Sequence, residues 1–165
     1  MSKQIVKTGS VAQPIGPYSL GVRSGNLVFV SGTVGWRPDG SIPAGIKEQC
    51  RQMYENVQRV LNAAGSSLDH VVSTTTYLVN AADYRVLNEV RAQYFAKDAP
   101  ASAVVVVKEL VRPELLVEVE AVAEIPTWAA RIRRWGVRRR QSGRTGGSQS
   151  LASQTRGRTD AGTQR

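Results

Sequence analysis

Two glutamates, Glu118 and Glu120, stand two residues apart in the alternating run Val117-Glu118-Val119-Glu120. On a strand, that spacing puts both carboxylates on one face of a sheet. A carboxylate in a partly dry cleft can move protons near neutral pH, because burial disfavours its charged form. The alternative is that both acids pair with basic residues such as Arg23 or Arg59, or simply lie in water. Other chemistry is sparsely supplied: the chain holds one histidine, His70, and one cysteine, Cys50. The Gly-x-Ser-x-Gly pattern of a nucleophilic serine is absent. One His and one Cys offer no ligand set for a dedicated zinc site. Cys50 falls on the apolar stripe of a helix and reads as a core residue rather than a reactive thiol. His70 follows Asp69 just before a strand and reads as a surface side chain.

The elements that would position these residues follow from periodicity. Asn26 to Ser31 is a short apolar run closed by Gly32 and reads as a strand. Pro38-Asp39-Gly40 reads as a turn. From Ile46, the apolar positions Cys50, Met53, Val57, Val60 and Leu61 recur at three- and four-residue steps. They form one face of a helix ending near Ala64, with Gly65 as its C′ residue. Val71 to Val79, rich in Val and Thr, reads as a strand. Asn80 reads as an N-cap, with Asp83 at the positive end of a second helix carrying Tyr84, Leu87, Val90 and Tyr94 on one stripe. Ala103 to Val107 and Leu115 to Ala123 read as the last strands. The order implies an α+β layered domain, a sheet with two helices on one face.

One consequence follows from Val104-Val105-Val106-Val107, which is apolar on both sheet faces. Two helices cover one face only. The other face requires cover from another copy of the chain, which predicts an obligate homo-oligomer. The alternative is a two-faced strand half-shielded by loops.

Charge separates the chain into two parts. The 165 residues carry a net charge of +9. Residues 1–126 hold twelve Lys/Arg and twelve Asp/Glu, whereas residues 127–165 hold ten arginines and a single acid, Asp160. The predicted domain is therefore 1–126 and shows no electrostatic footprint for nucleic acid. The Arg/Gly/Ser-rich tail, 127–165, cannot bury enough apolar surface to offset its ordering entropy, and is expected to be disordered or non-native. Trp128, Ile132 and Trp135, ringed by arginines, offer the other reading: a basic amphipathic element for nucleic acid or an anionic membrane. With one cysteine, no signal-peptide-like apolar run at the N-terminus and no long apolar span, a cytoplasmic soluble protein is expected.

Several segments occur in the order and spacing of the RidA/YjgF family, also called the reactive intermediate deaminase or L-PSP endoribonuclease-like family, which the chain resembles. They are Ile15-Gly16-Pro17-Tyr18-Ser19, Val28-Phe29-Val30-Ser31-Gly32, Gln58 to Gly65, Leu87-Asn88-Glu89-Val90 and Val117 to Ala123. The resemblance implies a chorismate-mutase-like fold and a homotrimer whose sheets form a central barrel, with small-molecule ligand clefts between subunits. It implies hydrolysis of small enamines and imines, of the 2-iminobutanoate/2-iminopropanoate type, to keto acids and ammonia. It implies no metal or organic cofactor.

The resemblance also assigns roles. Glu118 matches a cleft glutamate that positions or activates water, and Tyr18 a cleft tyrosine, which could otherwise be a turn residue capping the core. Ser31 matches a cleft serine, better read as a hydrogen-bond donor or strand-end residue than as a nucleophile. Asn88 matches an asparagine that could touch ligand or orient a loop. One departure stands out. Deaminating members follow Pro-Ala with an arginine that forks onto the substrate carboxylate. Here Pro100-Ala101 is followed by Ser102, and the family's neighbouring cysteine is Val104. Serine offers one neutral hydrogen bond instead, a loss of about 2–4 kcal/mol. Arg37, Lys108 and Arg112 are available cations that the sequence does not place. The expected function is thus an imine hydrolase acting on a substrate that could be non-standard. The alternative is a non-catalytic ligand-binding or regulatory trimer. A ribonuclease is disfavoured by the neutral domain and the single histidine.

Overall fold

The structure, a computed structural model, describes residues 3–126, so the expected boundary after Pro126 and the tail lie outside the described residues. The elements run β1 (Gln4–Val6), β2 (Gly21–Ser24), β3 (Leu27–Val34), α1 (Ile46–Ala63), β4 (Val71–Leu78), α2 (Tyr84–Tyr94), β5 (Ala101–Val106) and β6 (Val117–Glu124). Short 3-10 turns at Leu68–His70 and Ala81–Asp83 precede β4 and α2. One six-stranded sheet has the order β1-β2-β3-β6-β4-β5. Among the described residues, only the β4–β5 pairing is parallel. Because β3 and β4 both run antiparallel to β6, they run the same way. The connections β3–α1–β4 and β4–α2–β5 are therefore crossovers advancing in one direction, and right-handed crossovers of that kind put both helices on one face.

Apolar burial explains the helix layer. Met53, Tyr54, Val57, Val60 and Leu61 of α1 and Leu87 and Val90 of α2 are almost fully buried, against Val28 and Val30 of β3 and Val117, Val119 and Ala121 of β6. Burying each larger side chain contributes about 1.5–3 kcal/mol. Cys50 lies in this core, and burial pushes its thiol up to about 12. The end of α1 is a Schellman motif. Gly65 sits at φ 81°, its N–H donates to Asn62 and the Ser66 N–H donates to Leu61. Asn80 caps as expected, but its side chain accepts from Ala82 N at 3.0 Å and so opens the 3-10 turn that runs into α2. The strands β1 and β2 have three and four residues, too short to leave a periodic signal. The last two strands begin at Ala101 and Val117 rather than at Ala103 and Leu115. Leu115 is buried from the preceding loop instead.

Among the described residues, nothing covers the opposite sheet face. Register places Ile5, Val22, Phe29 and Val122 in one row across it, and Val105, Tyr77 and Glu118 in another. Phe29 is 46% and Val105 44% exposed, so loops do not shield this face. No helix among the described residues is long and apolar enough to cross a membrane.

Candidate functional site

Strand alternation sends Val117 and Val119 into the core and leaves Glu118 and Glu120 on the open face. The two acids then part company. Glu120 accepts a hydrogen bond from the Tyr77 phenol at 3.1 Å, and that bond first, then the charge of Glu120, raises the Tyr77 pKa. Glu118 is half-buried and has no hydrogen bond or ion pair among the described residues. Burial first, then the like charge of Glu120, raises its carboxyl above the ordinary value. The expected alternative, pairing with Arg59, is not realised: Arg59 lies on α1 against Glu55 at 3.5 Å.

Space for the Glu118 carboxylate comes from β3. The strand bulges between Val30 and Thr33, and Gly32 sits in the bulge. A Cβ at Gly32 would collide with Glu118 Oε1. The missing side chain thus leaves room for Glu118 in a cavity of about 380 Å³ that it shares with Tyr18, Ser31 and Glu120. Ser31 builds the wall. Its N–H donates to Leu20 and its Oγ donates to Ser19 O at 2.6 Å, which staples the segment carrying Tyr18 against β3. With that proton committed, Ser31 is an anchor rather than a nucleophile. Tyr18 is 49% exposed at the rim.

The far wall carries Trp36 and Val111, held by buried amides. Asn56 donates to the carbonyls of Val34 and Trp36 at 3.0 and 2.6 Å. Gln49, 2% exposed, donates to Pro43 O and Glu114 O and accepts from Leu116 N, joining the loops on either side. The Arg112 guanidinium stacks 5.9 Å over Trp36. Arg112 is thereby a structural clasp, and Arg37 is turned to Ser41.

Asn88 and Ser102 are not in this cavity. They line a second one, of about 340 Å³, between α2 and the edge strand β5. Ser102 bonds Thr74 at 3.1 Å, and Thr74 is buried on the helix side. Ser102 and Glu118 therefore lie on opposite faces of one sheet, and one chain cannot bring them to the same ligand. The sequence-based residue set is split: Tyr18, Ser31 and Glu118 share one cavity, Asn88 and Ser102 the other. Sequence reasoning missed Arg91, whose Nη1 donates to Ser102 Oγ at 2.8 Å and whose Nη2 donates to Asn88 Oδ1. The available signal was its position three residues after Asn88 on the same helix face. It also missed Gly32 as the residue that admits Glu118. His70 is bonded through Nδ1 to Ser67 at the foot of β4, away from both cavities. Among the described residues, no group of three or more His, Cys, Asp or Glu could hold a metal ion.

The sequence model of the family described as Endoribonuclease L-PSP matches residues 8–125. A RutC family protein of Pyrococcus horikoshii is 41% identical over 123 residues, covering 73% of this chain and 97% of the relative. The 2-iminobutanoate/2-iminopropanoate deaminase of Mus musculus is 34% identical over 123 residues, covering 73% and 90%. Among solved structures, RidA from Psychrobacter superposes with a TM-score of 0.72 at 35% identity, covering 74% of this chain and 99% of that one. The crystal structure of E. coli TdcF with bound serine gives a TM-score of 0.71 at 34% identity, covering 73% and 98%.

Proposed function

The chain belongs to the Endoribonuclease L-PSP family, the RidA/YjgF family, and on that premise we propose that it hydrolyses small reactive imines and enamines to keto acids and ammonia. The observation that carries this reading is Glu118: a half-buried, unpaired carboxylate with a raised pKa, in one cavity with Tyr18. Relatives named as 2-iminobutanoate/2-iminopropanoate deaminases, and one crystallised with serine, support a small ligand bearing a carboxylate.

The chemistry asks little of the protein. Water adds to the C=N carbon, and Glu118 takes its proton as the C–O bond forms. Glu118 passes that proton to the imine nitrogen, which gives the neutral carbinolamine. It then takes the hydroxyl proton as the C=O bond forms and delivers it to the departing amine; the C–N bond breaks, and a keto acid and ammonia leave. A raised pKa suits a group that must both accept and return a proton near neutral pH. Tyr18 supplies a phenol at the cavity rim to hydrogen-bond the ligand.

The working form in this reading is a chorismate-mutase-like homotrimer. Its sheets would meet through the bare face that carries Phe29 and Val105, and each Glu118 cavity would face the Asn88/Ser102 cavity of a neighbouring copy. The separation of the two residue sets on opposite faces supports this, because only a second copy can unite them. The lone, buried Cys50 fits a reducing cytoplasm. A second reading, a trimer that binds such ligands without turnover, is favoured by Ser102, which puts no cation on β5.

The test is to generate 2-aminoacrylate and other short imines in situ and follow keto acid release against buffer. The wild type should exceed the spontaneous rate and Glu118→Ala should fall to it. A wild-type rate equal to buffer on every imine tried would leave the binding reading in place of the hydrolase.

A further inference from the structure

Arg91 is held in place by side chains that do not neutralise it. Its guanidinium reaches from α2 across the second cavity, one terminal nitrogen on Ser102 Oγ at 2.8 Å, the other on Asn88 Oδ1. Both partners are neutral. Among the described residues no carboxylate lies within ion-pair distance of Arg91, whereas Arg51, Arg59, Arg85 and Arg112 each have one. A guanidinium has five N–H donors; two go to these oxygens, and the Tyr84 phenol, also neutral, lies in hydrogen-bonding contact with it as well, which still leaves donors for a ligand. The cavity beside it, about 340 Å³, is lined by Pro100 and the apolar Phe95 and Ala99.

A cation fixed by two neutral acceptors beside a partly apolar cavity is pre-organised for a planar anion. The fork matches a carboxylate in geometry, and the neutral partners orient it without cancelling its charge. The small Ser102 matters here. It leaves the guanidinium room to lie over β5, and its oxygen already accepts from Thr74 at 3.1 Å, which fixes the hydroxyl that fixes Arg91.

We infer that Arg91 is the carboxylate-binding residue of this protein, with Asn88 and Ser102 as its positioning residues, and that the ligand class is a small 2-imino or 2-oxo monocarboxylate. This rests on the reading above insofar as the imine end of the ligand must meet a neighbouring copy's Glu118. It revises the role expected for Ser102: the serine does not substitute for a missing cation but holds one delivered from the adjacent helix.

The experiment uses the full chain and two readouts. Binding of 2-oxobutanoate and of its uncharged amide is measured by calorimetry, and imine turnover is measured separately. Wild type should prefer the acid over the amide. Arg91→Leu should bind the acid roughly 10- to 100-fold more weakly, as expected for loss of a charge-assisted fork, and bind the amide unchanged. In turnover the loss should appear mainly in KM. Arg91→Lys should recover part of the affinity as a point charge without the fork. Because Ser102→Arg alone would crowd two guanidiniums, it should weaken binding, whereas Arg91→Leu/Ser102→Arg should restore it. Equal acid binding by Arg91→Leu and wild type overturns the inference, even where Glu118→Gln abolishes turnover and the hydrolase reading stands. Acid selectivity lost in Arg91→Leu, in a protein whose wild type hydrolyses no imine, supports the inference and refutes the hydrolase.

Discussion

Replacing Gly32 by alanine tests the Glu118 assignment more sharply than deleting the carboxylate does. The new Cβ would stand 3.0 Å from Glu118 Cδ and deeper still against Oε1, while its 3.6 Å approach to Cγ is ordinary. Comfortable carbon contacts lie near 3.5–4.0 Å, so Cδ must withdraw by about 0.5–1 Å and Oε1, which starts deeper, by more. Because Oε1 ends a flexible side chain, the withdrawal costs about 0.5–1.5 kcal/mol of rotamer strain. The loss of glycine's freedom in the unfolded chain offsets about 0.4–1 kcal/mol of that. Net stability should therefore change by less than about 1 kcal/mol, a few degrees in Tm. Catalysis should respond quite differently, since displacing a catalytic group by about 1 Å costs on the order of 100-fold. The expected outcome is a folded protein whose kcat/KM on 2-iminopropanoate drops about 100-fold. The shorter Glu118→Asp should lose less activity on the Gly32→Ala background than on wild type, a non-additivity that reports direct contact. A Gly32→Ala variant with normal Tm and a rate within about twofold of wild type would refute the reasoning.

Three further outcomes are expected. Since burial raises the Glu118 pKa, the folded chain holds that proton more tightly than the unfolded chain does; this contribution to stability is full below the ordinary glutamate value of 4.5 and is lost as pH rises from there through the raised folded value. Glu118→Gln, neutral throughout, should thus exceed wild type in Tm at neutral pH and match it in acid, as a pH series of melting curves would show; a gap independent of pH would contradict the assignment. Gln49→Leu strands Pro43 O, Glu114 O and Leu116 N, and urea unfolding should register a loss of about 3–5 kcal/mol. Charges placed on the bare face, in Phe29→Asp/Val105→Lys, should convert an oligomer to single chains by light scattering; unchanged mass would mean this face is not the interface.

Much of the fold was legible because its signals are local. The three- and four-residue steps from Cys50 to Leu61 and the positive φ that Gly65 supplies specify α1 and its end without reference to the rest of the chain. The alternation in Val117 to Glu124 likewise puts Glu118 and Glu120 on one face wherever the strand goes. Strands of three and four residues, β1 and β2, carry too few positions for any period to register, and exist because β3 offers an edge to β2 and β2 offers one to β1. The order of residues along β6 also could not separate the two glutamates, since their difference is made by Tyr77 from β4, which engages Glu120 and leaves Glu118 free.

The sequence by itself determined which side chains share an element and a face, and hence the two helices, the acidic strand and the need for cover over β5. Only the tertiary structure decided which elements stand opposite one another. That placed Tyr18, Ser31 and Glu118 on one side of the sheet, Asn88 and Ser102 on the other, and Arg91 within reach of a serine eleven residues away. The physical reason is that periodicity is set by backbone geometry within an element, whereas encounters between elements are set by strand order and crossover handedness, which no single segment encodes.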